Sequence, residues 1–403
     1  MLENFLREYN VNRVFLSPIG LWPFQRKSVR NCLRTFFFLL EISYLPFEIM
    51  LLYDHWDNPQ MVFDASYQLV MSISFAGRQL NEFWNHDKLR WLYQAIDEHW
   101  NIFTNDMEVR VMKDYSMLSR KFTKYYSTLM FSIMSILTLI PLTPILLDIV
   151  MPLNESRSRF LAIEVSYRLN KDDYFLPIYC YTAFTIAVGV NVVMGVDAMH
   201  LACTAHACSL FAAISKQVEN IISNANNKNK ISVRGHGTNM ELNLLNEEII
   251  YREYIICLKK HQLAIEFVNT LESSYQGLSL LLLALLIGTI SLIAVRIIYV
   301  LNQVGEVIKF TFIFTACLVT LMIVCYSGQR IMDESQSIFH GAYAAEWYKF
   351  SPRLKTLLII TLYRSNVPCG LKAGNMFPLS IATYAGVIRI AMSYFTAFTS
   401  FKE

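Results

Sequence analysis

The composition of this chain excludes most water-soluble folds. Of its 403 residues, 54% are hydrophobic and only 17% are charged, and the mean hydropathy is +0.34. A soluble protein of this size needs more charged surface, so we predict an integral membrane protein. The net charge of +3 is small and dispersed along the chain, which argues against nucleic-acid binding. The eight cysteines form neither a disulfide framework nor the spacing of a zinc site.

Seven apolar segments have about the length that crosses a bilayer core as a helix, which is about 20 residues. They are 35–53, 61–80, 124–150, 178–199, 275–298, 307–327 and 376–400. The fifth is almost uninterrupted, whereas the first, second and seventh carry charges: Glu41 and Glu48, Arg78, and Arg389. The sequence therefore predicts an all-α, polytopic membrane protein with seven transmembrane helices.

The basic residues between these segments predict the orientation, because Lys and Arg are retained on the cytoplasmic side. The segments on the side of the N-terminus hold 24 of them, and the alternate segments hold 5. We therefore expect a cytoplasmic N-terminus and an extracellular C-terminus, with no signal peptide before the first span. The sequon at Asn154 lies in a predicted extracellular loop and is a candidate glycosylation site.

The soluble mass is predicted on the cytoplasmic side, where the segments have 43, 75 and 48 residues against 7, 27 and 8 outside. Apolar positions at helical spacing in 82–122 and 241–274 predict that spans two to six continue as helices below the bilayer. Residues 224–239, rich in Asn, predict a mobile loop. The predicted divisions are a cytoplasmic segment 1–34, spans one to six with their extensions 35–327, a cytoplasmic anchor segment 328–375, and a pore-lining helix with its tail 376–403.

Motifs near both ends of the chain resemble those of insect odorant receptors. The C-terminal motifs comprise residues 325–328, 335, 341–343, 347–348, 357–358, 364–365, 368, 374, 379–380, 383–384 and 393–394. Near the N-terminus, residues 19–23 are similar to the family's Gly-x-Trp-Pro element. The tail 399–402 and a shorter 200–274 loop depart from the family's shared co-receptor, so the chain resembles a ligand-selective tuning subunit of hymenopteran-like type.

The resemblance implies an odorant-gated, nonselective cation channel that assembles with the odorant co-receptor into a tetramer. It further implies a small hydrophobic volatile as ligand, no cofactor, and a place in the plasma membrane of an olfactory-neuron dendrite. One alternative is a gustatory receptor of the same superfamily acting without the co-receptor. Another is a secondary transporter, although the sequence lacks the paired broken helices that transport predicts. The cytoplasmic N-terminus argues against G-protein-coupled receptors, and no enzyme motif is present.

The seventh segment carries a stripe that is expected of a pore helix. Small, polar and gate-sized side chains recur at helical spacing: Gly386, Ile390, Ser393, Tyr394, Ala397 and Phe401, with Ser400 at the border. The alternative is that small residues pack one helix against another. The resemblance implies a constriction at Ala397 and Phe401 and a selectivity residue at Ser400. Arg389 is expected either beside the pore face or at the cytoplasmic interface.

The resemblance implies a ligand pocket in the outer half of spans two, three, four and six. Aromatic, Met and hydroxyl side chains at that depth suit a small volatile. The candidates are Tyr67, Met71, Leu137, Ile140, Tyr181, Thr185, Phe310 and Phe314. Ordinary helix packing is the alternative for each of them. In the anchor segment, Tyr343 and Trp347 are among the apolar residues expected to pack subunits together.

Two polar patterns receive no site assignment. Asp197, His200, Cys203 and His206 recur every third residue, and this spacing drifts by about 60° per step on an α-helix. We therefore predict no metal site and interpret them as part of a cytoplasmic helix face. Glu41 and Glu48 flank Pro46 and mark either an ion path or polar residues that face the protein.

Overall fold

The computed structural model describes residues 2–151, 157, 161, 163, 165–168, 173–234, 240–345 and 347–400, and these residues are almost entirely helical. The helices are α1 (Glu3–Leu16), α2 (Lys27–Asp54), α3 (Pro59–Trp84), α4 (His86–Ile102), α5 (Asp106–Leu139), α6 (Thr143–Val150), α7 (Phe175–Arg234), α8 (Met240–Tyr299), α9 (Val304–Tyr343), α10 (Pro352–Ser365) and α11 (Ile381–Ser400). Short 3-10 turns cover Ile140–Leu142 and Trp347–Lys349, and strands β1 (Lys372–Ala373) and β2 (Phe377–Pro378) pair antiparallel. The predicted all-α class is confirmed.

Five of the seven predicted spans lie within single helices, the third is divided between α5 and α6, and the seventh includes α11. Five segments can cross a membrane by length and composition. They are α2, α7, α8, α9, and the continuous segment that contains α5 and α6. The remaining two are α3, whose apolar residues are interrupted by polar ones such as Gln68 and Arg78, and α11, which carries Arg389 as its one charged residue. The orientation stays a prediction from the basic residues. Below, "inner" and "outer" mean the predicted cytoplasmic and extracellular ends.

Helix α7 is the central element of the bundle. It packs against α1, α2, α3, α4, α5, α8 and α9. In its most apolar stretch 78% of the residues are buried, against 17% in the corresponding stretch of the segment Asp106–Val150, which contains α5 and α6. The apolar surface of α5 is therefore available to lipid, while that of α7 forms the interior of the protein.

Several helices continue well beyond the predicted spans, as expected. Helix α7 runs on from residue 199 to Arg234, and α8 begins at Met240, long before its predicted span at 275. The predicted loop over 224–239 is therefore wrong as far as Arg234, and 235–239 lie outside the described residues. Extending an existing helix adds one hydrogen bond for each residue fixed. Weak helix formers such as Asn can therefore be part of a helix that has already formed on either side of them.

Two predicted spans have different boundaries in the structure. The third is interrupted after Leu139 by a 3-10 turn, because Pro141 and Pro144 cannot donate the helical hydrogen bonds. The seventh begins at Ile381 rather than 376, because the preceding residues form the β hairpin. Gly374 and Asn375 turn this hairpin with φ of 56° and 59°, a conformation that Gly and Asn tolerate best.

The Gly-x-Trp-Pro element at residues 20–23 joins α1 to α2 and packs against α2 and α4 at the inner end of the bundle. Gly20 has a φ of 71°, and a β carbon there would collide with the backbone of Arg30 and Arg34 in α2. The Trp22 ring stacks on Tyr93 of α4, with centroids 5.6 Å apart and planes 16° from parallel. A tight turn and a buried aromatic anchor therefore account for this motif.

Candidate ligand-binding cavity

A cavity of about 140 Å³ lies among the outer parts of the helices. Its walls come mainly from α2, α3, α5, α7 and α9, with Leu286 of α8 and Ile163 completing them. Most of the lining is apolar, for example Ile133, Val190 and Ile313. A dry cavity of roughly 150 Å³ in another protein holds one benzene molecule, so this one has room for a single small ring or short chain.

The inner end of the cavity is closed by a buried ion pair. Arg78 of α3 donates from Nε and Nη2 to the two carboxylate oxygens of Asp197 on α7, at 3.0 and 3.1 Å. Tyr126 of α5 donates to Asp197 Oδ2 at 3.0 Å and lies 3.4 Å from the Thr320 hydroxyl of α9. Arg78 also donates to the Ser74 hydroxyl. This network joins four helices, and bidentate geometry makes such a pair strong and directional.

Two carboxyl groups of α2 face the same cavity. Glu41 and Glu48 line it and are 2% and 1% exposed. Glu48 Oε1 accepts a hydrogen bond of 2.7 Å from the Ser72 hydroxyl of α3. A β carbon on Gly189 of α7 would lie 3.3 Å from Glu41 Oε1, so the glycine allows close approach of the two helices. Of the two interpretations of these residues, this placement favours polar groups that face the protein.

A second ion pair stands near the outer end, behind the cavity wall. Arg296 of α8 donates to both carboxylate oxygens of Asp64 on α3, at 2.7 and 2.8 Å. The Arg296 guanidinium lies 5.7 Å from the centre of the Phe310 ring, which meets Tyr67 edge-on at 5.5 Å. Phe310 is buried against the wall and supports Tyr67, which lines the cavity itself.

The eight predicted ligand residues divide into two groups in the structure. Tyr67, Met71, Leu137 and Thr185 line the cavity. Ile140 lies in the 3-10 turn after α5, Phe310 lies behind Tyr67, and Phe314 packs into the core. The Tyr181 hydroxyl pairs with Ser43 at 2.6 Å. Their roles in ligand binding stay predictions.

Sequence reasoning left several polar lining residues unassigned, namely Glu41, Glu48, Gln68, Arg78 and Thr320. A signal for three of them was present, because a charged side chain inside an apolar span is costly and usually faces the protein interior. That signal identifies the residue but not its partner. Arg78 and Asp197 are separated by more than a hundred residues, and only the packing of α3 against α7 brings them together.

Helix α11 presents most of the predicted pore stripe away from its own chain. Val387 and Ala391 are buried against α8 and α9, whereas Ile390, Ser393, Tyr394, Ala397 and Ser400 are exposed. Gly386 is half-buried and Arg389 is exposed. Phe401 and the sequon residue Asn154 lie outside the described residues. The exposed face is available to neighbouring subunits, and its role in a pore stays a prediction.

The four residues that recur every third position on α7 are buried. They are Asp197, His200, Cys203 and His206, and two of them contact partners on different helices. Asp197 pairs with Arg78, and the His206 Nε2 atom lies 3.1 Å from His99 Nδ1 on α4. Burial lowers the pKa of His99 to about 4, so this imidazole is neutral at neutral pH. The expected helix face is thus a packed one rather than a solvated one. Among the described residues, no three His, Cys, Asp or Glu side chains gather as metal ligands do.

The whole fold is that of a solved seven-helix membrane receptor. The insect olfactory receptor OR5 from Machilis hrabei, in complex with eugenol, superposes with a TM-score of 0.79 at 12% identity, covering 98% of this chain and 99% of that one. A second OR5 structure gives a TM-score of 0.76. The likeness in fold establishes a seven-transmembrane, all-α architecture.

The sequence comparisons give the family. The model of the 7tm Odorant receptor family matches residues 58–392, and the chain belongs to this family. Odorant receptor 22a of Drosophila melanogaster is 26% identical over 157 residues, which is 39% of each chain. Odorant receptor 9a of the same species is 23% identical over 245 residues, 59% of this chain and 54% of that one. The alignments thus span about two fifths to one half of these relatives. The family is one of multi-pass membrane receptors, not of enzymes.

Proposed function

We propose that the chain is an odorant receptor, the ligand-selective subunit of an odorant-gated, nonselective cation channel. The observation that carries this proposal is the apolar cavity of about 140 Å³, enclosed by the helices of one chain. The OR5 structure of the same fold was solved with eugenol, a small volatile. A cavity with an apolar lining and a few convergent polar groups is typical of a small-molecule site.

The proposed ligand acts by stabilising the open state more than the closed state. Helix α9 offers a physical connection between cavity and pore. Its outer part lines the cavity at Ile313, Cys317 and Thr320. Farther along, Gly328 packs directly on Leu379, and the Gln329 amide oxygen accepts from the Ile381 backbone N–H at 3.4 Å, where α11 begins. A shift of α9 is thereby transmitted to α11.

The pore is proposed to be lined by α11 of each subunit. Ile390, Ser393, Tyr394 and Ala397 lie on the face that the chain itself leaves exposed. A narrow apolar passage at Ala397 and Phe401 excludes ions because it cannot replace their hydration. Ser400 is the proposed polar residue beside this constriction.

Assembly with an odorant co-receptor into a tetramer is the second part of the proposal. Trp347 and Tyr343 are exposed beyond the inner end of the bundle, next to α10. Large exposed aromatic side chains are typical anchors of protein interfaces. The proposed location is the plasma membrane of an olfactory-neuron dendrite, surrounded by lipid.

Co-expression in oocytes with and without a co-receptor, followed by a panel of volatiles, tests this function. We expect inward current only from the pair, with permeability to Na⁺ and K⁺ alike. Current from this chain alone would favour a receptor that acts without the co-receptor. A silent panel, with surface expression of both subunits verified by an epitope tag, would contradict the proposal.

A further inference from the structure

Three buried oxygen atoms at the cavity have no hydrogen-bond partner among the described residues. They are Glu41 Oε1, Glu48 Oε2 and the side-chain amide oxygen Oε1 of Gln68. All three residues line the cavity, and they are 2%, 1% and 4% exposed. Glu41 and Glu48 are seven residues apart on one face of α2, and Gln68 stands on α3. Three unpartnered acceptors from two helices thus line the same cavity.

Three donors that line the cavity, on Arg78, Ser72 and Thr185, are already engaged. Arg78 is its basic lining residue, and its guanidinium is bound by Asp197 and Ser74. The Ser72 hydroxyl donates to the other oxygen of Glu48. The Thr185 hydroxyl donates to the Tyr181 carbonyl oxygen at 3.0 Å. The described residues therefore leave the carboxyl groups of the cavity without a basic partner.

A buried acceptor without a donor is unfavourable, and a buried carboxylate without a cation is more so. A ligand that brings the missing donor removes this penalty when it enters. The ligand gains most when it carries positive charge as well as N–H groups, because such hydrogen bonds are shorter and stronger. The apolar remainder of the lining suits a hydrocarbon body of one ring or a short chain.

We propose that the cavity selects a small amine, bound as an ammonium ion between Glu41, Glu48 and Gln68, with its hydrocarbon body against the apolar wall. This inference rests on the proposed function and specifies the ligand class of the same site. Gly189 of α7 contributes by letting the Phe75 ring and Glu41 approach its backbone, because a β carbon there would lie 2.7 Å from Phe75 and 3.3 Å from Glu41 Oε1. The ion pair of Arg78 and Asp197 closes the inner end without offering a free cation.

The test compares three ligands with the same ring, benzylamine, benzyl alcohol and toluene, within a wider panel of esters and ketones. They are applied to oocytes that express the chain with a co-receptor. Benzylamine is expected to activate at a concentration about tenfold or more below toluene, with benzyl alcohol between them. A tenfold difference is a measurable margin in a dose–response curve.

Glu48→Gln and Glu41→Gln keep the size of the side chain and remove its charge. Each is expected to lower the preference for benzylamine over toluene about tenfold. The matched control is Glu306→Gln, because Glu306 pairs with Lys309 at 2.6 Å and does not line the cavity. Its ligand ranking is expected to equal that of the wild type.

The outcomes separate this inference from the proposed function. A wild-type channel that responds to esters or ketones but ranks benzylamine no better than toluene overturns the ligand class and leaves the function standing. A receptor that reaches the surface but gives no current with any volatile overturns both. When the glutamate variants do not reach the surface, the ranking by the wild type decides alone.

Discussion

The cavity and the exposed face of α11 differ in how far one chain completes them. Residues of the same chain, mainly from five helices, line the cavity, and Arg78 pairs with Asp197 at its inner end. Helix α11 buries Val387 and Ala391 but leaves Ile390 and Tyr394 exposed. A binding site can thus be a property of the single chain, whereas a pore on a symmetry axis requires several. Changes in the cavity are expected to alter selectivity, and changes on α11 to alter conduction.

The largest expected effect is the loss of the ion pair at the inner end of the cavity. Arg78→Ala leaves Asp197 buried without its partner, which costs about 3–5 kcal/mol. We expect low surface expression and a lower unfolding temperature in detergent. Replacing both residues together, as Arg78→Met with Asp197→Leu, is expected to restore much of the stability.

The control for this experiment is Arg252→Ala, because the pair of Arg252 and Glu248 is exposed on α8. An exposed pair adds little to stability, so no measurable change is expected. Equal stability of the Arg78→Ala variant and the wild type would contradict a cavity that is closed within one chain.

The second prediction addresses α11. Phe401→Ala is expected to raise the current without odorant, because it widens the proposed constriction. Ala397→Asp places a carboxylate in the conduction path and is expected to change the cation permeability ratios. Phe395→Ala, on a half-buried neighbour, is expected to do neither. Surface expression is measured for each variant, since lost current also reports misfolding. Wild-type behaviour of the first two variants, with a changed Phe395→Ala channel, would assign the pore to another face.

The third prediction concerns the anchor segment. Trp347→Ala is expected to weaken association with the co-receptor by about 2 kcal/mol, since Trp residues that become buried between subunits are frequent hot spots of interfaces. The measurement is recovery of the co-receptor in a pull-down at equal expression. Trp56→Ala is the control, because Trp56 is exposed at the opposite end of the bundle. Unchanged recovery, or a changed odour ranking among the remaining channels, would contradict the assembly role.

The smallest expected effect is a change of selectivity without a change of conduction. Ala316→Leu adds a branched side chain to the cavity wall on α9. It is expected to raise the half-activating concentration of a ring-sized odorant about tenfold, which corresponds to about 1.4 kcal/mol. Thr315→Leu, on the exposed neighbour, is the control. A shift in permeability ratios with Ala316→Leu would remove the separation between cavity and pore.

Residues chosen for their depth along the predicted spans do not all face the cavity. Tyr67 and Thr185 were chosen by depth, and both line it. Tyr181, one turn from Thr185, instead pairs with Ser43, and Phe310 lies one layer behind Tyr67. Depth follows from counting residues along an apolar span. The direction of a side chain changes by 100° from one residue to the next. Which side chains face the cavity therefore depends on how each helix is rotated about its axis, and packing against neighbouring helices sets that rotation.

The amino-acid sequence by itself determined the membrane class, the seven spans and their long inner extensions. These follow from apolar length and from helical spacing, which are local properties of the chain. Only the tertiary structure decided which residues meet. The charges of Glu41, Glu48 and Arg78 were visible in the sequence, yet Arg78 is satisfied by Asp197 while Glu41 keeps an unpartnered oxygen. Such partners depend on contacts between helices that are far apart in the chain, and local patterns in the sequence do not predict these contacts.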